Sequence, residues 1–205
     1  MNDLTNRFEW CDYETGEVFP WETPPPRPVS ARLKDDTAAK GIAPTTANTL
    51  WDYRALLPID EEATPVSLGE GGTPLILAPE LGRALGTAPL LLKNEAANPT
   101  GSFKDRQICV AVTHAIAHGY DTIAVVSSGN VACAAAAYSA RAGIRAICFM
   151  HGMAGGWKAR QAATYGAEMV PVDSHSANDV FDLCIAACEE WGWYHASTAG
   201  SYEPM

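Results

Sequence analysis

The chain has 205 residues, 47% hydrophobic and 19% charged, the make-up of a globular protein of one domain or a little more. A net charge of −10 argues against a nucleic-acid partner, which needs clustered lysine and arginine, but still allows a locally positive site for a small anionic substrate. No apolar run reaches membrane-spanning length, and Met1-Asn2-Asp3-Leu4 lacks the basic and apolar regions of a secretory signal. The expectation is therefore a cytoplasmic protein with no membrane partner.

The six cysteines (Cys11, Cys109, Cys133, Cys148, Cys184 and Cys188) form no C-x-x-C pair and fall mostly in apolar stretches, as in a reducing compartment. Cys184 and Cys188, like His114 and His118, share the i, i+4 spacing. Neither pair has the further ligands a metal site needs, so no metal is expected.

Residues 1–49 read as an N-terminal arm and connector. Trp10, Tyr13, Phe19, Trp21 and the prolines from Pro24 to Pro28 suggest an extended arm with little regular structure, packed on the body or on a partner subunit. Residues 31–47 read as a flexible connector. Leu50–Leu57 reads as a short helix stopped by Pro58. Gly69-Glu70-Gly71-Gly72-Thr73-Pro74-Leu75 is too rich in glycine and proline for a helix and is a loop. Glu80–Leu85 is a short helix ended by Gly86.

From Leu90 onward strands and helices alternate. The apolar run Leu90–Leu92 predicts a buried strand reaching Lys93. Asn98, Pro99 and Gly101 break regular structure, and Ser102-x-x-Asp105 caps a helix over 102–118. Strands follow at 122–126, 145–150, 168–172 and from 193. The intervening helices span 131–142, 156–165 and 177–191, with Ser176 as a cap for the last. Glycines 119, 143, 166 and 192 sit where helices end. This alternation predicts an α/β fold, a parallel sheet with right-handed βαβ crossovers, whose ligands bind at the carboxyl ends of the strands.

Lys104 falls in the first turn of a helix, where the positive end of the macrodipole disfavours a cation. The free amine is the form that Schiff-base chemistry uses. Ser127-Ser128-Gly129-Asn130 lies between a strand and a helix, where uncapped N–H groups bind anions; its Ser and Asn also suit simple helix capping.

Asn98-Pro99-Thr100-Gly101-Ser102-Phe103-Lys104-Asp105-Arg106 resembles the cofactor-lysine segment of the fold-type II pyridoxal-phosphate enzymes, and among them the threonine synthases. Leu50-Trp51-Asp52-Tyr53-Arg54 and Leu68–Leu75 resemble that family's upstream segments, and Ser127–Asn130 its cofactor loop. The resemblance implies a tryptophan synthase β-like fold and pyridoxal 5′-phosphate as cofactor. It makes Lys104 the catalytic, cofactor-bearing residue, with Ser128, Gly129 and Asn130 also holding the cofactor. Thr73, Ser127, Ser128, Asn130, Lys158 and Arg160 would meet the substrate.

It further implies a carbon–oxygen lyase in threonine biosynthesis, turning O-phospho-homoserine and water into threonine and phosphate. Cysteate synthase and serine or threonine dehydratases stay open, as does a non-catalytic half-protein. On the same resemblance, residues 50–106 begin a large cofactor-binding domain and residues 107–200 form a smaller α/β domain. The family's later glycine-rich phosphate loop has no counterpart after Gly156, so the fold is expected to be incomplete at the C-terminus. A homodimer, or association with a C-terminal half, follows as the partner expectation.

Overall fold

The computed structural model describes residues 3–12, 15–23, 30–35, 48–87, 89–152 and 156–197. Its centre is a four-stranded, wholly parallel sheet built from β6 (Thr122–Val126), β7 (Arg145–His151), β8 (Glu168–Val172) and β9 (Tyr194–His195). The spatial order is β8-β7-β6-β9. Helices α4 (Asn130–Ala142) and α5 (Trp157–Thr164) join the first three strands, and α6 (Ala177–Trp191) returns the chain to the far side of β6. Because crossovers keep one hand, reversing direction moves α6 to the opposite face.

Side-chain burial follows the two-residue period of a strand. Ile123, Val125, Ala146 and Cys148 pack with Ile108 and Val112 of α3 (Lys104–Ala117) and with the alanines of α4. Ala124, Ile147 and Phe149 pack with Val180, Cys184 and Cys188 of α6. A strand buried on both faces reads as a continuous apolar run, which is why Thr122–Val126 shows no polar alternation. The buried alanines at 132, 134, 135 and 136 let α4 approach both the sheet and α3 closely. All six cysteines are unpaired.

Two expectations are corrected. The first concerns Leu91–Lys93, here β5, which is neither buried nor part of the parallel sheet. It pairs antiparallel with β4 (Leu75–Leu77), Ile76 opposite Leu92, in a separate two-stranded sheet. Helix α2 (Pro79–Ala84) turns the chain back, and the Ala78 N–H closes the turn on the Leu90 carbonyl at 2.9 Å. An apolar run sets the propensity for a strand but not its partner.

The second concerns the N-terminal segment, which is not an irregular arm. Helix α1 (Asp3–Arg7) leads into β1 (Phe8–Cys11), which lies between β2 (Val18–Pro20) and β3 (Ser30–Leu33) in an antiparallel sheet. Leu4, Phe8, Trp10 and Trp21 form a small buried core, with the two indoles stacked at 4.3 Å. Clustered aromatics supply enough burial to order three short strands. The unit does pack on the body: the Arg7 guanidinium donates to the carbonyls of Ala55 (2.9 Å), Leu57 (3.2 Å) and Ile59 (3.2 Å). Strand β3 takes the first residues of the expected connector, and 36–47 lie outside the described residues. Among the described residues no helix is long and apolar enough to cross a membrane.

Candidate active site

Lys104 is the first residue of α3, as its sequence position predicts. Ser102 is not the expected cap: Phe103 holds the N-cap position with no side-chain cap, and the Ser102 Oγ accepts from the Lys104 N–H at 3.2 Å. Asp105 does not complete the predicted capping box. Its fully buried carboxylate turns back to Thr100, accepting from the Thr100 N–H at 2.7 Å and from the Thr100 hydroxyl. The reason is local: Gly101 adopts φ +85°, which folds Thr100 over the helix start and presents both donors. The Gly101 N–H closes the turn on the Asn98 carbonyl at 2.8 Å. Burial raises the Asp105 carboxyl above its ordinary range, opposed by the Thr100 hydrogen bonds. The Lys104 ammonium lies 4.7 Å from the Phe103 ring centre and has no hydrogen-bond partner among the described residues.

Ser127–Asn130 leaves the carboxyl end of β6. The Ser127 N–H continues the sheet to the Phe149 carbonyl (2.9 Å), and the Ser127 hydroxyl accepts from the Gly129 N–H (3.0 Å). Asn130 is the first residue of α4, and no side chain caps that helix. The capping role open to these residues is therefore not taken. Ser128 and Asn130 are exposed. Helix α5 also starts without a side-chain cap, whereas Ser176 caps α6. Beyond β9, the buried Ser197 has no sequence signal of its own, yet its hydroxyl accepts from the Val126 N–H at 2.8 Å. It flanks the point between β6 and β9 where strand order reverses, the place where such sheets form a crevice.

Lys158, expected to meet an anionic substrate, instead donates to the Thr100 carbonyl and to Gln161 Oε1, each at 3.1 Å. The starts of α3 and α5 thus adjoin. Arg160 is exposed, with its guanidinium 5.2 Å from the Trp157 ring centre.

Thr73 belongs to a different cluster. Its hydroxyl donates to Glu95 Oε1 (2.6 Å) and accepts from Arg106 Nη2 (3.3 Å). Arg106 grips both oxygens of Glu95, at 2.8 and 2.9 Å, and Asn98 adds a bond at 3.0 Å. Chiefly because of Arg106, the Glu95 carboxyl falls from 4.5 to about 2. Thr73, Glu95 and Arg106 line a cavity of about 430 Å³ with Asn48, Tyr53, Gly72 and Lys93. Lys104 and Ser127–Asn130 are not among its lining residues. Beside it the fully buried Glu70 accepts from Trp51 Nε1 (2.6 Å), the Tyr138 hydroxyl (2.8 Å) and the Leu68 N–H (2.9 Å). Sequence spacing marks Asp105 only as a capping residue, and nothing in the spacing of Glu70, Glu95 and Arg106 marks them as buried; only the adjoining glycine loops hint at a packed polar layer.

The family model for pyridoxal-phosphate dependent enzymes matches residues 66–204. The threonine synthase of Mycobacterium tuberculosis is 42% identical over 150 residues, which is 70% of this chain and 40% of the relative. That of Methanocaldococcus jannaschii is 42% identical over 142 residues, 69% of this chain and 35% of the relative. The crystal structure of a threonine deaminase from T.th. is 33% identical with a TM-score of 0.52, over 61% of this chain and 39% of that one. The chain spans about 40% of the length of the curated relatives first matched. A lysine at the start of a helix, an uncapped serine–glycine–asparagine loop at a strand end and a family match over residues 66–204 together place this chain in the pyridoxal-phosphate-dependent enzyme family.

Proposed function

We propose that this chain carries the lysine side of a lyase site of the threonine synthase type, acting on O-phospho-homoserine and water to give threonine and phosphate. The observation that carries the reading is the Lys104 amine at a helix start with no hydrogen-bond partner among the described residues, its loop joined through Lys158 to the first turn of α4: Lys158 donates to the Thr100 carbonyl and its own carbonyl accepts from the Cys133 thiol. The donor set fits pyridoxal 5′-phosphate, the cofactor of the family: a primary amine for its aldehyde, an exposed amide at Asn130 for its ring oxygen, and free backbone N–H groups for an anion. Bound cofactor supplies an electron sink for charge developing on the substrate α carbon.

In this reading Lys104 holds the cofactor and then moves the proton at the substrate α carbon. Ser127, Ser128 and the first N–H groups of α4 hold the α-carboxylate, while Gly129 and Asn130 orient the ring. Arg160 is the cation left for the substrate phosphate, since Lys158 already serves two acceptors. Thr73 acts at one remove, through its bond to Glu95. Residues 50–106 then belong to a large cofactor-binding domain and 107–200 to a smaller one.

The test is borohydride reduction of the full chain after addition of pyridoxal phosphate, followed by peptide mapping. Label on Lys104 is expected; label on Lys93 or Lys158 overturns the reading. Release of inorganic phosphate and threonine from O-phospho-homoserine supports the substrate. Release of a 2-oxo acid from threonine instead supports a dehydratase, the reading favoured by the likeness to threonine deaminase.

A further inference from the structure

The loop that delivers Lys104 is held from two elements. From α3, the buried Asp105 carboxylate takes the Thr100 N–H and hydroxyl. From α5, the Lys158 ammonium takes the Thr100 carbonyl at 3.1 Å and stands 3.8 Å from where a Cβ on Gly101 would sit. Thr100 thus has its N–H, its hydroxyl and its carbonyl all engaged by charged side chains, in the turn four residues before Lys104. Gln161 fixes the other side of the Lys158 head, and it is itself tied to the Tyr165 hydroxyl at 2.9 Å. A fully buried carboxylate is costly, and the Thr100 hydrogen bonds, with a smaller contribution from the Lys158 charge, lower the cost of the ionised Asp105. A hydrogen bond with a charged partner is stronger and more directional than a neutral one, which suits it to fixing a backbone carbonyl.

We propose that Lys158 is a positioning residue: with Asp105 it clamps Thr100 and thereby aims Lys104, rather than binding the substrate. The idea rests on Lys104 being the cofactor-bearing lysine. A cation on α5 then couples the smaller sheet unit to the lysine loop, so any displacement of α5 moves the carbonyl that sets the start of α3.

The experiment uses the full chain and three variants, Lys158→Gln, Lys158→Arg and the isosteric Thr100→Val. Amide hydrogen exchange of residues 100–104 is followed without cofactor. The rate of pyridoxal-phosphate attachment is then read from the absorbance of the lysine-bound cofactor and by borohydride mass labelling. Lys158→Gln should exchange these amides about tenfold faster, a local opening roughly 1.4 kcal/mol easier, and should attach cofactor about tenfold more slowly. Lys158→Arg should restore both, because it keeps charge and reach, and Thr100→Val should loosen the same amides with little change in side-chain volume. Wild-type exchange and attachment in Lys158→Gln overturns the clamp, as does a Lys158→Arg that behaves like Lys158→Gln. If the parent chain takes up no cofactor at Lys104, the reading of that lysine fails, while faster exchange in Lys158→Gln still supports the clamp.

Discussion

At the scale of single residues, the polar interior is organised by carboxylates with several donors each. Glu70 is 0% exposed and joins the 3-10 helix at Leu50–Leu56 to α4 through Trp51 and Tyr138. Burial and the bond to Glu70 push the Tyr138 hydroxyl far up, so it stays a donor at every working pH. Glu70→Gln replaces an oxygen that only accepts with an amide that donates toward an existing donor. A loss of about 2–4 kcal/mol is expected in urea unfolding, and Tyr138→Phe should lose less because it removes a single bond.

Two other groups set the acid limit of stability. His114 stacks on His118 at 4.0 Å, its Nδ1 is buried without a partner among the described residues, and burial lowers it from 6.5 to about 4. The unfolded chain therefore takes up the proton first, so the stabilisation is complete above pH 6.5 and is lost as pH falls toward about 4. Glu95, also depressed, adds a second loss between pH 4.5 and about 2, on the order of 1–2 kcal/mol because the pair is partly exposed. Urea midpoints measured across pH should show both phases, and His114→Phe should flatten the upper one alone.

At the scale of elements, glycine conformation decides how the loop before β4 packs. Gly71 has φ +100°, and a Cβ there would overlap the Leu50 backbone nitrogen, which is bonded to the Glu70 carbonyl at 2.9 Å. Gly119, at φ +82°, has open space around it. Gly119→Ala should therefore cost only the left-handed penalty of about 1–2 kcal/mol. Gly71→Ala should cost clearly more and should shift Trp51 fluorescence, since the backbone must move. Ser176 is the one side-chain cap among α3 to α6, accepting from the Asn178 N–H at 3.2 Å. Ser176→Ala should lower stability by about 1 kcal/mol in thermal unfolding, and Ser127→Ala, which removes no cap but does remove the bond from the Gly129 N–H, should cost no more than that.

At the scale of the whole molecule, the β4–β5 sheet exposes a row of aliphatic side chains. Leu75 is 59% exposed, Leu77 58% and Leu91 50%, with Leu85 of the intervening turn at 63%. A two-stranded sheet with unpaired edges and an apolar surface favours association. The purified chain should therefore show concentration-dependent association in sedimentation, and Leu77→Lys with Leu91→Glu should reduce it without changing the circular dichroism of the parallel sheet. The N-terminal sheet is joined to the body through the Arg7 guanidinium and a run of carbonyls.

The elements that could be read from the chain are those whose signals are local. A β-branched run gives Thr122–Val126, and Ser176 and Gly192 bound α6 at both ends. Lys104 could be placed at a helix start because Gly101 and Ser102 sit just before it. Tertiary structure decided what the sequence leaves open: which strand Leu91–Lys93 pairs with, whether the aromatic segment before residue 35 forms a sheet, and what each charged side chain serves. Lys158 and Thr100 are 58 residues apart in sequence, and Tyr138 and Glu70 are 68 apart. A charge is buried only where distant elements bring it donors or a countercharge, and its cost or value is fixed by that meeting rather than by its neighbours in the chain. The lysine loop was therefore legible locally, while the Lys158 side chain that reaches it from α5 was placed by the packing of α4 against α3 and α5.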